Sequence, residues 1–270
     1  MLRRVMMAGQ VASGEPAFAN VVLLLHGEGA DGATTITDSS SYARTMTRVG
    51  TAEVDTAEKV FGASSLYIPS STNGWTTPGA TNLDMRAGAF QIDWRHRLAS
   101  GIASDADSDL DVVLAMVDGS SGWAYEWAVI LHRTYMRFYC GIRGTNNRTT
   151  RWFLPPGYDF NSYGGAWVPL SIGRDASGRW GAWIDGHRCL DYQSGNFSVG
   201  MSMNARVNGA ILTDATDFGS SAGRLLNLGR FYTFAGLART KHIDELRYVV
   251  GECRDVTADY TPRATAFPDS

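Results

Sequence analysis

Cysteine is scarce in this chain. Cys140, Cys189 and Cys253 make an odd count with no C-x-x-C pair, which excludes a disulfide framework and a paired-thiolate zinc site. Each lies in or beside a strand-like run, so the expectation is reduced thiols packed as small apolar side chains. One disulfide is the alternative. Reduced thiols imply folding in a reducing compartment. Charge is also low, with 19% charged residues and a net −3. A pI near 5.9 leaves no basic face to neutralise phosphates, which excludes nucleic-acid binding. The densest basic stretch, Arg143, Arg148 and Arg151, is interleaved with Thr and Asn, and a solvated loop is expected there. Runs of Glu, Lys, Leu and Ala that would build long amphipathic helices are missing. No apolar run approaches the roughly 18 residues of a membrane-spanning helix. Near the N-terminus, Arg3-Arg4 and Ala17-Phe18-Ala19 imitate a secretory signal. Gly9 and Gln10 break its apolar part and Ser13-Gly14-Glu15-Pro16 follows, so no signal peptide is expected.

What is plentiful is glycine (30 residues) and aromatics (8 Trp, 11 Tyr, 11 Phe), within a 44% hydrophobic chain. That combination suits many strands joined by tight turns, and 270 residues is a common length for one β sandwich. Val21-Val22-Leu23-Leu24-Leu25 reads as a strand buried on both faces. Over residues 90–98, Phe90, Ile92, Trp94, His96 and Leu98 share one face, and Gln91, Asp93, Arg95 and Arg97 the other. Period two predicts a strand with one wet face, and His96 is expected to be a hydrogen-bonded core histidine. Residues 110–117 form a second doubly buried run. Residues 125–131 and 135–142 flank His132-Arg133-Thr134 as a hairpin, with Cys140 pointing inward. Strands over 167–174 and 179–184 follow, the second ending at Asp185-Gly186, a type I′ hairpin signal. Residues 194–224 look like a long polar excursion; 225–229 and 243–250 resume strand character before a polar tail.

Several of these pieces occur in a familiar order. Val22-Leu23-Leu24-Leu25-His26 precedes Asp38-Ser39-Ser40, Phe61-Gly62 and Ser64-Ser65-Leu66. Phe90 to Trp94 comes next, then Arg174-Asp175, Trp183-Ile184-Asp185-Gly186 and Ile243-Asp244-Glu245-Leu246-Arg247. Tyr260-Thr261-Pro262 and Phe267-Pro268 close the series. The set resembles the concanavalin A/laminin-G-like domains of bacteriophage tail and other virion proteins. The resemblance implies an all-β, two-sheet antiparallel jelly-roll sandwich over residues 20–270, with residues 1–19 as an extended arm. It further implies a virion structural protein, a tail-tip, fibre or decoration module assembled in the host cytoplasm. Its expected partners are other virion proteins reached through the arm, further copies of itself, and host surface glycan. A carbohydrate-binding lectin acting as receptor-binding adhesin is the alternative, and a polysaccharide-cleaving enzyme a weaker one, because this fold hosts all three.

Catalysis finds little support in the residues. The paired carboxylates of a jelly-roll glycanase are absent: Glu126 has no acidic partner two or four positions on, and no G-x-S-x-G elbow occurs. Asp244 and Glu245 are adjacent in a strand-like run, so they should face opposite ways and serve structure. Asp105, Asp107, Asp109 and Asp111 alternate through a loop entering a strand. A solvated acidic loop is expected there, with Ca²⁺ at the loop rim as the alternative and no other cofactor. For sugar binding, Trp75, Trp123, Trp152, Tyr158 and Tyr163 lie in or beside loop-like segments and are the candidate stacking platforms. A role at subunit contacts is equally open to them.

Overall fold

The computed structural model describes residues 16–85, 88–106, 108–117, 125–142, 146–191, 223–230 and 239–269. The strands in chain order begin with β1 (Val21–Leu25), β2 (Thr47–Val49), β3 (Glu53–Asp55), β4 (Ser65–Ile68) and β5 (Gly74–Pro78). The middle of the chain supplies β6 (Phe90–Leu98), β7 (Asp111–Val117), β8 (Tyr125–Leu131), β9 (Tyr135–Ile142) and β10 (Asn146–Phe153). Then come β11 (Trp167–Arg174), β12 (Trp180–Ile184), β13 (His187–Arg188), β14 (Leu190–Asp191), β15 (Leu225–Leu228) and β16 (Lys241–Val250). Two short 3₁₀ turns are the helical segments among the described residues. The chain is an all-β sandwich of two antiparallel sheets. The first runs β13-β12-β11-β6-β16-β4-β3, with β1 also on β16; the second runs β14-β10-β9-β8-β7-β15-β5-β2.

The period-two pattern of β6 explains its place. Phe90, Ile92, Trp94 and Leu98 enter the core between the sheets. There Phe90 meets Phe138 of the opposite sheet with ring centroids 6.0 Å apart, and Trp127 of β8 meets Tyr248 of β16 edge-on at 6.0 Å. Offset and edge-on aromatic pairs add to the burial of their large apolar areas. β1 is apolar on both faces for a visible reason. Val22, Leu23 and Leu25 join the main core, while Val21 and Leu24 are covered by Phe18 and Phe267.

The other face of β6 departs from expectation. Gln91 and Asp93 are 5% and 4% exposed because residues 251–269 cross that face of the sheet. A polar row can be buried when each group finds a partner, and here Arg254 of the crossing segment and Arg247 of β16 supply them. The basic stretch around Arg148 is also not a loop: Asn146–Phe153 is β10, paired with β9 from Asn146↔Ile142 to Phe153↔Tyr135. Residues 146–151 read Asn-Asn-Arg-Thr-Thr-Arg with no apolar alternation, so a strand stabilised by its ladder left no periodic signal there.

β16 has a different neighbour along each half of one edge. Lys241–Ile243 pairs with β4, and Leu246–Val249 pairs with β1. Between them its register against β6 shifts and Glu245 adopts φ +52, the mark of a β-bulge. Asp244 accepts the Val60 and Phe61 N–H groups, so Asp244 and Glu245 serve structure at a strand junction. The Asp185-Gly186 turn has φ +50 and +79, as a type I′ turn requires.

The sandwich also encloses a charged cluster. Lys241 donates to Asp111 across the two sheets and to the Val112 carbonyl at 2.7 Å, and His96 Nε2 lies 3.1 Å from Asp111 Oδ2, off the line of a good hydrogen bond. Cys189 is buried. Cys253 is a free thiol, and burial pushes it up to about 12. The Cys140 side chain, residues 1–15 of the expected arm and most of the 194–224 excursion lie outside the described residues.

Candidate functional site

The C-terminal segment, residues 251–269, lies as a strap over the outer face of the first sheet and is pinned at several points. Trp183 Nε1 donates to the Ala258 carbonyl at 2.8 Å and Arg188 Nε to the Val256 carbonyl at 2.7 Å. Tyr260 N–H donates to the Gly186 carbonyl at 2.9 Å, Arg95 Nη2 to the Arg263 carbonyl, and Phe267 N–H to Glu245 at 2.6 Å.

The last pin involves His26. Its Nδ1 is 2.7 Å from Glu245 and its Nε2 is 2.7 Å from Asp269. The Glu245 hydrogen bond, working against burial and aided by Asp269, raises the His26 pKa from 6.5 to about 9. A raised folded-state pKa stabilises fully below pH 6.5, and this contribution is lost as pH climbs through about 9. Wild-type melting temperature should therefore fall across that interval, while His26→Gln should be flat there. A melting series from pH 6 to pH 10 on both proteins checks this, and a wild type insensitive over the window would refute the His26 pin.

Between strap and sheet lies a cleft of about 570 Å³. From the sheet come Asp93, Arg95 and Arg247; from the strap come Arg254, Tyr260 and Arg263. Asp93 sits at the centre. It accepts from Arg247 Nη2 at 3.0 Å, from Gln91 Nε2 at 2.8 Å, and from Arg254 Nη2. Burial works to raise its pKa, but Arg254 and Arg247 outweigh burial and hold the carboxyl below the usual range. The guanidinium groups also lie against rings. Arg254 is 3.5 Å from the Tyr260 centroid, Arg247 is 3.9 Å from Phe267, and Arg95 is 5.4 Å from Phe61. Cations over ring faces gain electrostatic energy, more so where water is scarce.

Two tyrosines expected from the sequence lie outside the cleft lining and pack against the core. Tyr158 and Tyr163 lie in the loop between β10 and β11, half-buried, with their rings stacked 6.0 Å apart at 28°. The His187 ring is 5.6 Å from Tyr158. Its Nδ1 lies 3.4 Å from Asp259, which also lines the cleft. Burial, then Asp185 and Asp259, push the Tyr158 phenol up, which keeps it a hydroxyl donor.

The remaining candidates are placed elsewhere. Trp75 is 0% exposed in β5, and its Nε1 donates to the Thr34 carbonyl at 3.3 Å. Trp152 is 2% exposed in β10, with its ring 6.1 Å from Trp180. Neither presents a face to a sugar, because each belongs to a strand whose polar neighbours made it look like a loop. Trp123 lies outside the described residues. Of the alternating acids, Asp105 accepts from Thr134 N–H at 2.8 Å and from its hydroxyl at 2.6 Å. Asp109 holds Ser104 N–H at 2.6 Å and pairs with Arg239. Asp111 is buried on Lys241, and Asp107 lies outside the described residues. Among the described residues no three His, Cys, Asp or Glu side chains gather around one point.

The cleft residues Asp93, Arg95, Arg247 and Arg254 were missed by the sequence reading. A signal existed: Asp93 and Arg95 sit on the polar face of β6, and a tail carrying Arg254 and Arg263 could have been read as its cover.

No family model matches the sequence, and no curated protein matches it. Solved structures share the fold. The binding domain of botulinum neurotoxin serotype G is 14% identical with a TM-score of 0.58, over 88% of this chain and 49% of that one. The binding domain of Paraclostridial Mosquitocidal Protein 1 is 9% identical with a TM-score of 0.59, over 88% of this chain and 50% of its own. A third structure concerns botulinum neurotoxin type C, described as depending on interaction with two ganglioside molecules to enter cells. It is 11% identical with a TM-score of 0.57, over 87% and 49%. The chain spans about half the length of each, and at such identity the likeness establishes the sandwich alone.

Proposed function

We propose that this chain is a non-catalytic, lectin-like binding module that recognises a surface glycan on the Tyr158–Tyr163 platform. The observation that carries the reading is the convergence of these two stacked rings with His187 and Asp259 beside a cleft. A sugar ring presents an apolar face to an aromatic ring while its hydroxyls take up neighbouring donors and acceptors, and such sites combine a few polar groups with apolar walls. The likeness to domains named for binding, one from a toxin described with gangliosides, supports the same direction.

The state of the cleft carboxylates favours binding over cleavage. A glycosidase needs one carboxyl to donate a proton and a second to act as base or nucleophile. Asp93 is occupied by Gln91, Arg247 and Arg254, and Glu245 by His26 and Phe267.

In its finer form the proposal places the chain in a bacteriophage virion as a tail-tip, fibre or decoration module. Residues 1–19 would join other virion proteins, several copies would assemble, and the glycan would be the host's. That placement rests on the ordered motifs from Val22 to Pro268, and imaging virions labelled with an antibody to this chain tests it. The lectin reading is tested on a glycan array with and without calcium. Wild type should bind, and Tyr158→Ala should weaken binding about tenfold or more, as loss of an aromatic anchor does. An array with no signal in either condition would refute it.

A further inference from the structure

We infer that the cleft under the strap is an oxyanion site, so that the preferred glycan is one carrying a carboxylate or sulfate group. The inference rests on the glycan reading above for the sugar, and on the cleft itself for the charge. Arg95, Arg247 and Arg254 converge there, and only Asp93 among the lining carboxylates forms ion pairs with them. The other acids of the lining are committed elsewhere. Glu245 is held by His26 and the Phe267 N–H, and Glu252 by Ala17 N–H and Asn20. Asp255 accepts from Thr257, and Asp259 accepts from the Arg188 N–H beside His187. Those acids keep their charge, so the part of the cleft that can accept an anion is where Arg95, Arg247 and Arg254 meet Asp93.

Arg95 is the group that this arrangement leaves in deficit. It is partly buried, and burial draws its pKa down against Tyr260 and the carboxylates of Asp185, Asp244 and Asp93. Its contacts are the Arg263 carbonyl and the Phe61 ring; among the described residues it forms no carboxylate ion pair. Removing a cation from water without an anionic partner is costly. A planar guanidinium offers paired N–H groups that match the two oxygens of a carboxylate or sulfate. The ring contacts of Arg247, Arg254 and Arg95 hold these forks in place before any ligand arrives, which lowers the ordering cost of binding. A volume of about 570 Å³ falls within the usual range of small-ligand sites. The Asp259 end of the cleft meets the tyrosine platform through His187, so one oligosaccharide can stack an uncharged ring outside and place an acidic ring within.

Calorimetry on the full chain decides the matter with four probes: maltotriose, trigalacturonate, a sulfated disaccharide and sodium sulfate. The expected result is that at least one acidic saccharide binds about tenfold or more tighter than maltotriose, with affinity falling as NaCl rises. Arg95→Gln should lose that preference while leaving maltotriose binding unchanged, and Tyr158→Ala should weaken maltotriose. Arg95→Lys, which keeps the charge and loses the fork, should recover only part. If Arg95→Gln is poorly folded, the wild-type salt dependence and the Arg95→Lys result carry the decision. Equal affinity for neutral and acidic saccharides, or acidic binding indifferent to salt and to Arg95, overturns the anion site. Sodium sulfate binding as tightly as the sulfated disaccharide assigns the site to a free inorganic anion and overturns the saccharide. Acidic binding that persists while Tyr158→Ala has no effect on any probe would sink the platform and leave the anion site standing.

Discussion

Lys241→Met is expected to lower the unfolding free energy by about 3–5 kcal/mol, the usual cost of removing one partner from a buried ion pair. Lys241 is 0% exposed and Asp111 1%. The ammonium on β16 of one sheet reaches the carboxylate on β7 of the other, so the pair ties the sandwich across its interior. Burial works to raise the Asp111 pKa, and Lys241 with His96 outweighs it, so the carboxylate stays ionised. Without Lys241 its partner would be His96, whose own pKa burial holds down. A buried anion would then face a mostly neutral imidazole. Urea unfolding at neutral pH measures the loss. The double variant Lys241→Met with Asp111→Leu should recover much of it, because replacing both charges with apolar groups removes the desolvation cost along with the attraction. A loss under about 1 kcal/mol in the single variant would show that the pair is not buried as described.

The second large effect is expected at Gly186. Its φ is +79, and a Cβ there would lie 2.1 Å from the Tyr260 carbonyl oxygen and 2.7 Å from Pro262 Cδ. Gly186→Val therefore combines a left-handed backbone strain of about 1–2 kcal/mol with overpacking of about 1–3 kcal/mol. The atoms it meets belong to the strap, so the strap must move. The expected result is a lower melting temperature, faster trypsin cleavage near Arg254 and Arg263, and loss of acidic-saccharide binding. Gly32→Ala is the control, because Gly32 has φ +71 with no atom within 4 Å of its Cβ position and so incurs the backbone strain alone. Matching stability and cleavage in the two variants would mean that the strap does not rest on Gly186.

What was legible in the sequence was whatever local periodicity encodes. The apolar run of β1, the alternation of β6, the buried run of β7, the β8–β9 hairpin and the Asp185-Gly186 turn all emerge where their residues indicated. Strands β5 and β10 did not, since Gly-Trp-Thr-Thr-Pro and Asn-Asn-Arg-Thr-Thr-Arg lack an apolar row and gain their order from neighbours. That is also why Trp75 and Trp152 looked like surface platforms. The loop that carries Tyr158 and Tyr163 lies where they were expected, between β10 and β11, because Pro155-Pro156-Gly157 marks a turn whatever its partners.

By itself, then, the sequence determined an all-β chain whose inward faces are set by alternating side chains two residues apart. Tertiary structure alone decided where the polar tail goes, and with it the character of the site. Asp93 reads as a solvated residue on a wet strand face until residues 251–269 cross over it. Pairing of β16 with β6 sets Arg247 opposite Asp93, and the crossing segment adds Arg254, each more than 150 residues further along, so both close on the same carboxylate. Charges so far apart in the chain carry no mutual spacing, and a cleft between strap and sheet exists only once both are in place.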